Sequence, residues 1–260
     1  MFKANILADS THNGNRLITF EVEMPRYIWA EMLTHRALSR NAQSTRAIPV
    51  YKMIDNLRND SEVHPLFMEN CPGMSPKEFL ADDKAYRASK IWANARESAI
   101  ASAEALCILG VHKQVAGRLL EPFSTIKAII SATDWDNFFR LRLSLMAQEE
   151  IRTIAGMMKS AIDKSTSRRV DVTYWHLPLV TLSEREQQPI DTLKKLSVAR
   201  CARVSYLNHN NEYDIVADIA LYNKLVSSRH ASPLEHIATP MPGRHGNFNG
   251  WQQHRQEINL

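Results

Sequence analysis

The chain has 260 residues, with 32 Lys and Arg against 28 Asp and Glu, for a formal net charge of +4. Charge signs alternate along nearly every segment, which excludes the long basic blocks of a chain whose main partner is nucleic acid. Only 8 glycines occur and 20 Arg stand against 12 Lys, so a bound phosphate is expected to meet arginine forks rather than bare glycine backbone.

Arg16 to Glu23 alternates Ile18, Phe20 and Val22 with Thr19, Glu21 and Glu23, the pattern of a half-buried strand. Pro25 stops it and opens a short helix carrying Tyr27, Ile28, Met32 and Leu33, whose C-terminal end delivers Thr34-His35-Arg36. Residues 37–50 are too polar for a core element and read as an ordered loop. Residues 51–80, with Pro65, Pro72 and Pro76, read as an irregular surface insertion. Asp82 or Asp83 can cap a long helix that ends at Gly110, and a shorter helix is expected from Val111 to Leu120. The strongest helical pattern begins near Thr133, in a Thr-x-x-Asp spacing resembling a capping box, and runs unbroken to about Lys164. Val170 to Leu182 reads as a strand or extended crossing, Ile190–Ala202 and Asp214–Ser227 as helices, and 240–260 as a C-terminal tail. With no repeat and no low-complexity linker, one α+β domain over 1–260 is expected.

Several segments carry chemistry. Between His35 and Arg46 lie three Arg, one His, two Ser, one Thr, one Asn and one Gln, and no acid occurs between Ala37 and Val50. A counter-charge must come from elsewhere in the fold or from a ligand with many acceptor oxygens. Arg142 lies among Phe138, Phe139, Leu141, Leu143 and Leu145, so it either snorkels at the helix edge or points into a polar pocket, which Asn137 can also reach. Arg118 can pair with Glu121 or serve a ligand. The run His230-Ala-Ser-Pro-Leu-Glu-His236 fits no zinc spacing, and no metal site is expected. Cys71, Cys107 and Cys201 suggest neither a disulfide framework nor a metal pair. The Rossmann and P-loop glycine signatures are missing. The longest apolar stretch, near Ala105 to Val111, is too short for a membrane span, and Met1 to Asn5 does not open a signal peptide.

These segments together resemble the flavin-dependent thymidylate synthases. The family's Arg-His-Arg-x-x-Ser-x-Asn-Glu-x-Ser-x-Arg motif is met by His35-Arg36, Ser39, Asn41, Ser44 and Arg46. Its Asn-x-x-x-x-Arg and Ala-Gln-x-Glu-Ile stretch is met by Asn137, Arg142 and Ala147 to Ile151, and its Arg upstream of a Pro by Arg118 and Pro122. Ala202-Arg203-Val204-Ser205 and His230-x-Ser232-Pro233-Leu234-Glu235-His236 match elements that come first in the family. Their position here resembles a circular permutation of a divergent, phage-type member.

The resemblance implies an α+β fold with a mixed sheet flanked by long helices. It implies transfer of a one-carbon unit from methylenetetrahydrofolate to C5 of a deoxypyrimidine monophosphate, dUMP to dTMP, with FAD as cofactor, NADPH as reductant and no protein nucleophile. It assigns His35, Arg36, Asn137, His230 and Ser232 to FAD, and Glu31, Gln43, Ser44, Thr45, Arg46, Arg118 and Arg142 to the nucleotide. Arg142 takes the catalytic role of stabilising charge on the pyrimidine. It also implies a cytoplasmic homotetramer with shared sites, in the host cytoplasm if phage-encoded, and no nucleic acid or membrane partner. Thr34, Ala42, Glu31 and Met146 depart from the family's Arg, Glu, Gln and His. They leave open a dUMP or dCMP 5-hydroxymethylase on the same scaffold, and a non-catalytic nucleotide- or nucleic-acid-binding protein.

Overall fold

A computed structural model describes residues 2–59, 63–73, 75, 76, 78–204 and 214–260. Strands β1 (Lys3–His12) and β2 (Asn15–Pro25) form an antiparallel hairpin. Asn13 and Gly14 both have positive φ, 47° and 81°, the backbone of a two-residue turn that follows the right-handed strand twist. A short 3-10 turn, Arg26–Ile28, leads from Pro25 into α1 (Trp29–Leu33). The loop expected over 37–50 contains an edge strand, β3 (Ser39–Ala42). Its four residues have no hydrophobic alternation to announce it, and it exists because β4 pairs with it.

The insertion expected over 51–80 is helical at its start: α2 (Val50–Asn59) buries Val50, Met53, Ile54 and Leu57, spaced three and four apart. Helix α3 (Asp82–Ile108) spans nearly the expected range, but neither aspartate caps it. Ala81 is the N-cap and both acids lie in the first turn, where they favour the positive helix end. The expected 111–120 helix is reduced to α4 (Lys113–Ala116) and a 3-10 segment, Gly117–Phe123, that includes Pro122.

Strand β4 (Thr125–Ala132) runs between β2 and β3, and the sheet order is β3-β4-β2-β1-β5, with β5 being Arg168–Arg169. Only the β1–β5 pairing is parallel, so the sheet is mixed. The helix expected from Thr133 to Lys164 is two helices, α5 (Asp136–Arg142) and α6 (Glu149–Lys164). Between them, Ser144 accepts a hydrogen bond from the Met146 amide, and Gln148 takes extended backbone as the N-cap of α6. The Thr133 hydroxyl accepts from the Asn249 amide and does not cap α5.

Beyond an irregular 170–181 crossing, α7 (Leu182–Gln187), α8 (Ile190–Ala202) and α9 (Ile215–Ser227) follow. A 3-10 turn at Ser232–His236 then leads into the hairpin β6 (Ala238–His245) and β7 (Phe248–Gln253), ending in α10 (His254–Glu257). The 240–260 tail is thus folded, and Trp251 is fully buried against Leu17, Ala238 and Phe248.

The central sheet is covered on both faces. Ile18, Phe20, Val22 and Met24 of β2, with Ile126, Ala128 and Ile130 of β4, face α1, α5 and α6. On the other face, Ile129 packs with Leu193, Leu196 and Val198 of α8, Leu225 of α9, and Leu234 and Ile237. Strand β2 keeps its alternation at Glu21 and Glu23, which stay partly exposed, but at its start Leu17 and Thr19 are also fully covered. Polar groups on this second face bond to one another. Thr19 Oγ1 lies 2.6 Å from Ser131 Oγ and 2.9 Å from His176 Nε2, and His236 Nδ1 lies 2.8 Å from Ser131 Oγ.

Candidate active site

Helix α1 ends at β3, and two arginines satisfy its open C-terminal carbonyls. Arg40 Nη1 donates to the carbonyls of Met32, Leu33 and His35 at 3.3, 2.8 and 2.8 Å. Arg142, at the end of α5, donates from Nη2 to the Glu31 carbonyl at 3.1 Å and to Thr34 Oγ1 at 3.0 Å. Its Nη1 reaches Glu31 Oε2 at 2.6 Å and its Nε reaches His35 Nε2 at 2.7 Å.

Arg142 thus points back onto a polar turn and does not snorkel. His35 is buried edge-on to Phe138, with ring centroids 5.0 Å apart. Burial, then the charges of Arg142 and Arg40, push its pKa below the ordinary imidazole value. The neutral ring can accept the Arg142 bond.

The segment from β3 to Ala47 borders two cavities. Ser44 and Arg46, with Arg40, Asn41, His112, Gln114, His230 and Ser232, line one of about 480 Å³. No acid is among these residues. Gln43 and Thr45 line a second, of about 460 Å³, with Glu23, Arg26, Lys52 and Lys127. The nucleotide set expected at Gln43 to Arg46 is therefore divided within one chain: extended backbone at Ser44 turns it away from Gln43, and a 3-10 turn, Thr45–Ala47, separates Thr45 from Arg46.

The first cavity joins distant motifs. Ser232 Oγ lies 3.4 Å from Asn41 Oδ1, and Asn41 Nδ2 donates to the Cys201 carbonyl at 2.8 Å. Arg46 is exposed and makes no hydrogen bond or ion pair with any described residue, and the same holds for Arg36.

The remaining expected residues lie apart. Arg118 is bound by Glu121, with Nη1 3.0 and 3.1 Å from its two oxygens, and Thr45 donates to the same carboxylate at 2.6 Å. Asn137 is exposed and accepts from Arg140. In the 230–236 run, His236 enters the core, Glu235 pairs with Arg255 and only His230 is exposed. Among the described residues no group of three or more His, Cys, Asp or Glu could hold a metal ion, and no helix is long and apolar enough to cross a membrane.

In Ala202-Arg203-Val204-Ser205, Arg203 pairs with buried Asp218, and Ser205 lies outside the described residues. Three cavity residues were not anticipated. Arg40 lies inside the acid-free run but on no matched motif position, and His112 and Gln114 fall in a segment read only as helix.

A mixed sheet between two helical layers, with an acid-free, arginine-bearing cavity at its edge strand, defines an α+β protein with a site suited to an anionic ligand. The family model described as thymidylate synthase complementing protein matches residues 16–166, and the chain belongs to that family. Among solved structures, a UMP/dUMP methylase, PolB from Streptomyces cacaoi, bound with 5-Br UMP, is 16% identical with a TM-score of 0.52. The match covers 63% of this chain and 89% of that one. The same methylase bound with 5-Br dUMP is 20% identical, with a TM-score of 0.45 and coverage of 57% and 66%. No curated protein matches the chain. The expected α+β fold with a mixed sheet and long helices is the fold observed, and it is similar to that of the methylase.

Proposed function

We propose that the protein is an FAD-dependent enzyme that transfers a one-carbon unit from methylenetetrahydrofolate to C5 of dUMP, giving dTMP, with NADPH as reductant. The observation that carries this reading is the acid-free cavity containing Ser44, Arg46, His230 and Ser232, linked through Arg40 to the turn that holds Arg142 and His35. Family membership and the methylase-like fold support it.

The donor set fits FAD. Arg36 and Arg46 have no protein counter-ion among the described residues, and beside Arg46 the cavity offers Ser232 and His230 as donors, a combination suited to a pyrophosphate. Bound flavin supplies the hydride, and the protein supplies fixed charge and orientation. Arg142 is a cation held in three directions beside a buried imidazole, so little reorganisation is needed when charge develops on a pyrimidine. Arg118 and Thr45 are held by Glu121 and Gln43 faces the second cavity, so in this reading the full nucleotide site is completed by another subunit of a homotetramer.

The permuted order belongs to the same proposal. The Trp251 indole donates to the Asn15 carbonyl at 3.1 Å, which places the C-terminal hairpin against the start of β2. The Ser232–His236 turn thereby meets β3 and β4 although it ends the chain order rather than beginning it.

One observation favours the cytosine arm of a second reading, hydroxymethylation of dUMP or dCMP. The Glu31 carboxylate on Arg142 gives the base edge an acceptor beside the donors, and the cytosine amino group complements an acceptor.

The test is anaerobic incubation with FAD, NADPH, methylenetetrahydrofolate and either dUMP or dCMP, followed by product mass. A gain of a methyl group on dUMP supports the first reading, and a hydroxymethyl product the second. Protein that acquires no yellow flavin spectrum after FAD is added overturns both and leaves a non-catalytic binding protein.

A further inference from the structure

Arg40 is in an unusual position for an edge-strand residue. Its Nη1 has two hydrogens, and three backbone carbonyls at the end of α1 converge on them. Its Nε and Nη2 make no hydrogen bond with any described residue, although the side chain is half-buried and lines the 480 Å³ cavity. The acid nearest in electrostatic terms, Glu235, is already paired with Arg255. One edge of the guanidinium is therefore spent on the protein, and the other edge has planar donors and no acceptor.

We propose that Arg40 is a ligand-binding and positioning residue: its Nε and Nη2 edge takes a phosphate of the molecule bound in the cavity, while Nη1 fixes the turn carrying Glu31, Thr34 and His35. This rests on the reading above, that the cavity holds a phosphate ester, and names the residue that links it to the reacting end. A guanidinium can do both because its donors are fixed in one plane and diverge. A lysine ammonium keeps the charge but cannot hold the turn carbonyls on one side and a phosphate on the other in that geometry. Removing Arg40 also frees carbonyls of the turn on which the Arg142 and His35 side chains meet, so affinity and turnover both depend on it.

The experiment compares wild type, Arg40→Lys and Arg40→Ala by calorimetric titration with dUMP and, separately, with FAD, alongside kcat, KM and the thermal midpoint. For Arg40→Ala, the affinity of one of the two ligands falls about 10- to 100-fold, the loss of one charge-assisted contact, and which ligand weakens identifies the phosphate. For Arg40→Lys, which retains the charge, that affinity falls less while kcat drops at least tenfold, a split that a purely structural role would not produce. If the Ala variant does not fold, the Lys variant carries the test. Wild-type affinities and kcat in a folded variant overturn the inference alone. Wild-type protein that binds neither ligand overturns the reading on which it rests.

Discussion

Arg142 and Glu31 are 111 residues apart in sequence and form one ion pair, with Nη1 2.6 Å from Oε2 and side-chain exposures of 17% and 30%. The arginine expected to meet a pyrimidine is therefore already neutralised by a residue of the same chain, at the position where the family carries a Gln. A ligand must share Arg142 with Glu31 or displace it.

Arg142→Ala should lower kcat by about 100- to 1,000-fold, the usual cost of losing one preorganised donor at developing charge. The flavin absorbance should be retained, because the cavity lining is untouched. Normal turnover in this variant refutes the role assigned to Arg142.

Glu31→Gln should tighten dUMP binding and weaken dCMP binding, since it removes the competing charge and gives the base edge an amide. Because the pair is partly exposed, the change in thermal stability should correspond to only about 1 kcal/mol. Unchanged preference between the two nucleotides, measured by titration, would show that Glu31 does not reach the base.

Stability should fall in mild acid. Burial holds His176 and His236 at about 3, far below the ordinary 6.5. Below pH 6.5 the unfolded chain therefore binds protons that the native state refuses. The loss approaches about 1.4 kcal/mol per pH unit for each histidine and stops only below the native values. His35, whose pKa is also lowered, acts in the same sense. Urea unfolding between pH 7.5 and 4.5 measures the slope, and His176→Asn should reduce it. A pH-independent midpoint would contradict the buried neutral network.

Trp251→Ala should cost about 3–5 kcal/mol, as for other large aromatic truncations in a core, and the Asn15 carbonyl loses its donor as well. The urea midpoint measures it. A loss below about 1 kcal/mol would mean that the hairpin contributes little to the fold.

Asp218 is fully buried between Arg200 and Arg203, and the Arg200 hydrogen bond holds the Glu184 carboxyl at about 2. Asp218→Ala removes the buried carboxylate that pairs with both Arg200 and Arg203 and should destabilise by about 3–5 kcal/mol. Near-native stability by denaturant melt would show that the two cations do not depend on Asp218.

Patterns local in sequence were legible. Strand β2, helix α8 and helix α9, with Asp214 accepting from the Val216 and Ala217 amides as N-cap, follow from periodicity and end signals within a dozen residues. Strand β4 was not anticipated: buried on both faces, it shows a near-continuous apolar run that lacks strand alternation. The break after Arg142 was also hidden. Leu143, Leu145 and Met146 extend an apolar helical pattern, yet they are exposed on the turn between α5 and α6.

By itself, the sequence determined the family resemblance, the α+β class and the acid-free run from Ala37 to Val50, because each resides in neighbouring residues or composition. Only the tertiary structure decided that Arg142 is bound by Glu31, that Arg118 is bound by Glu121, that Gln43 and Ser44 enter different cavities, and that Arg40 joins a cavity to a helix end. Apart from the Arg118–Glu121 pairing, which the spacing had left open beside a ligand role, these are matters of strand pairing and side-chain direction. Both are set where β3 joins β4 and where α5 stops, and neither has a signature in the residues that take part.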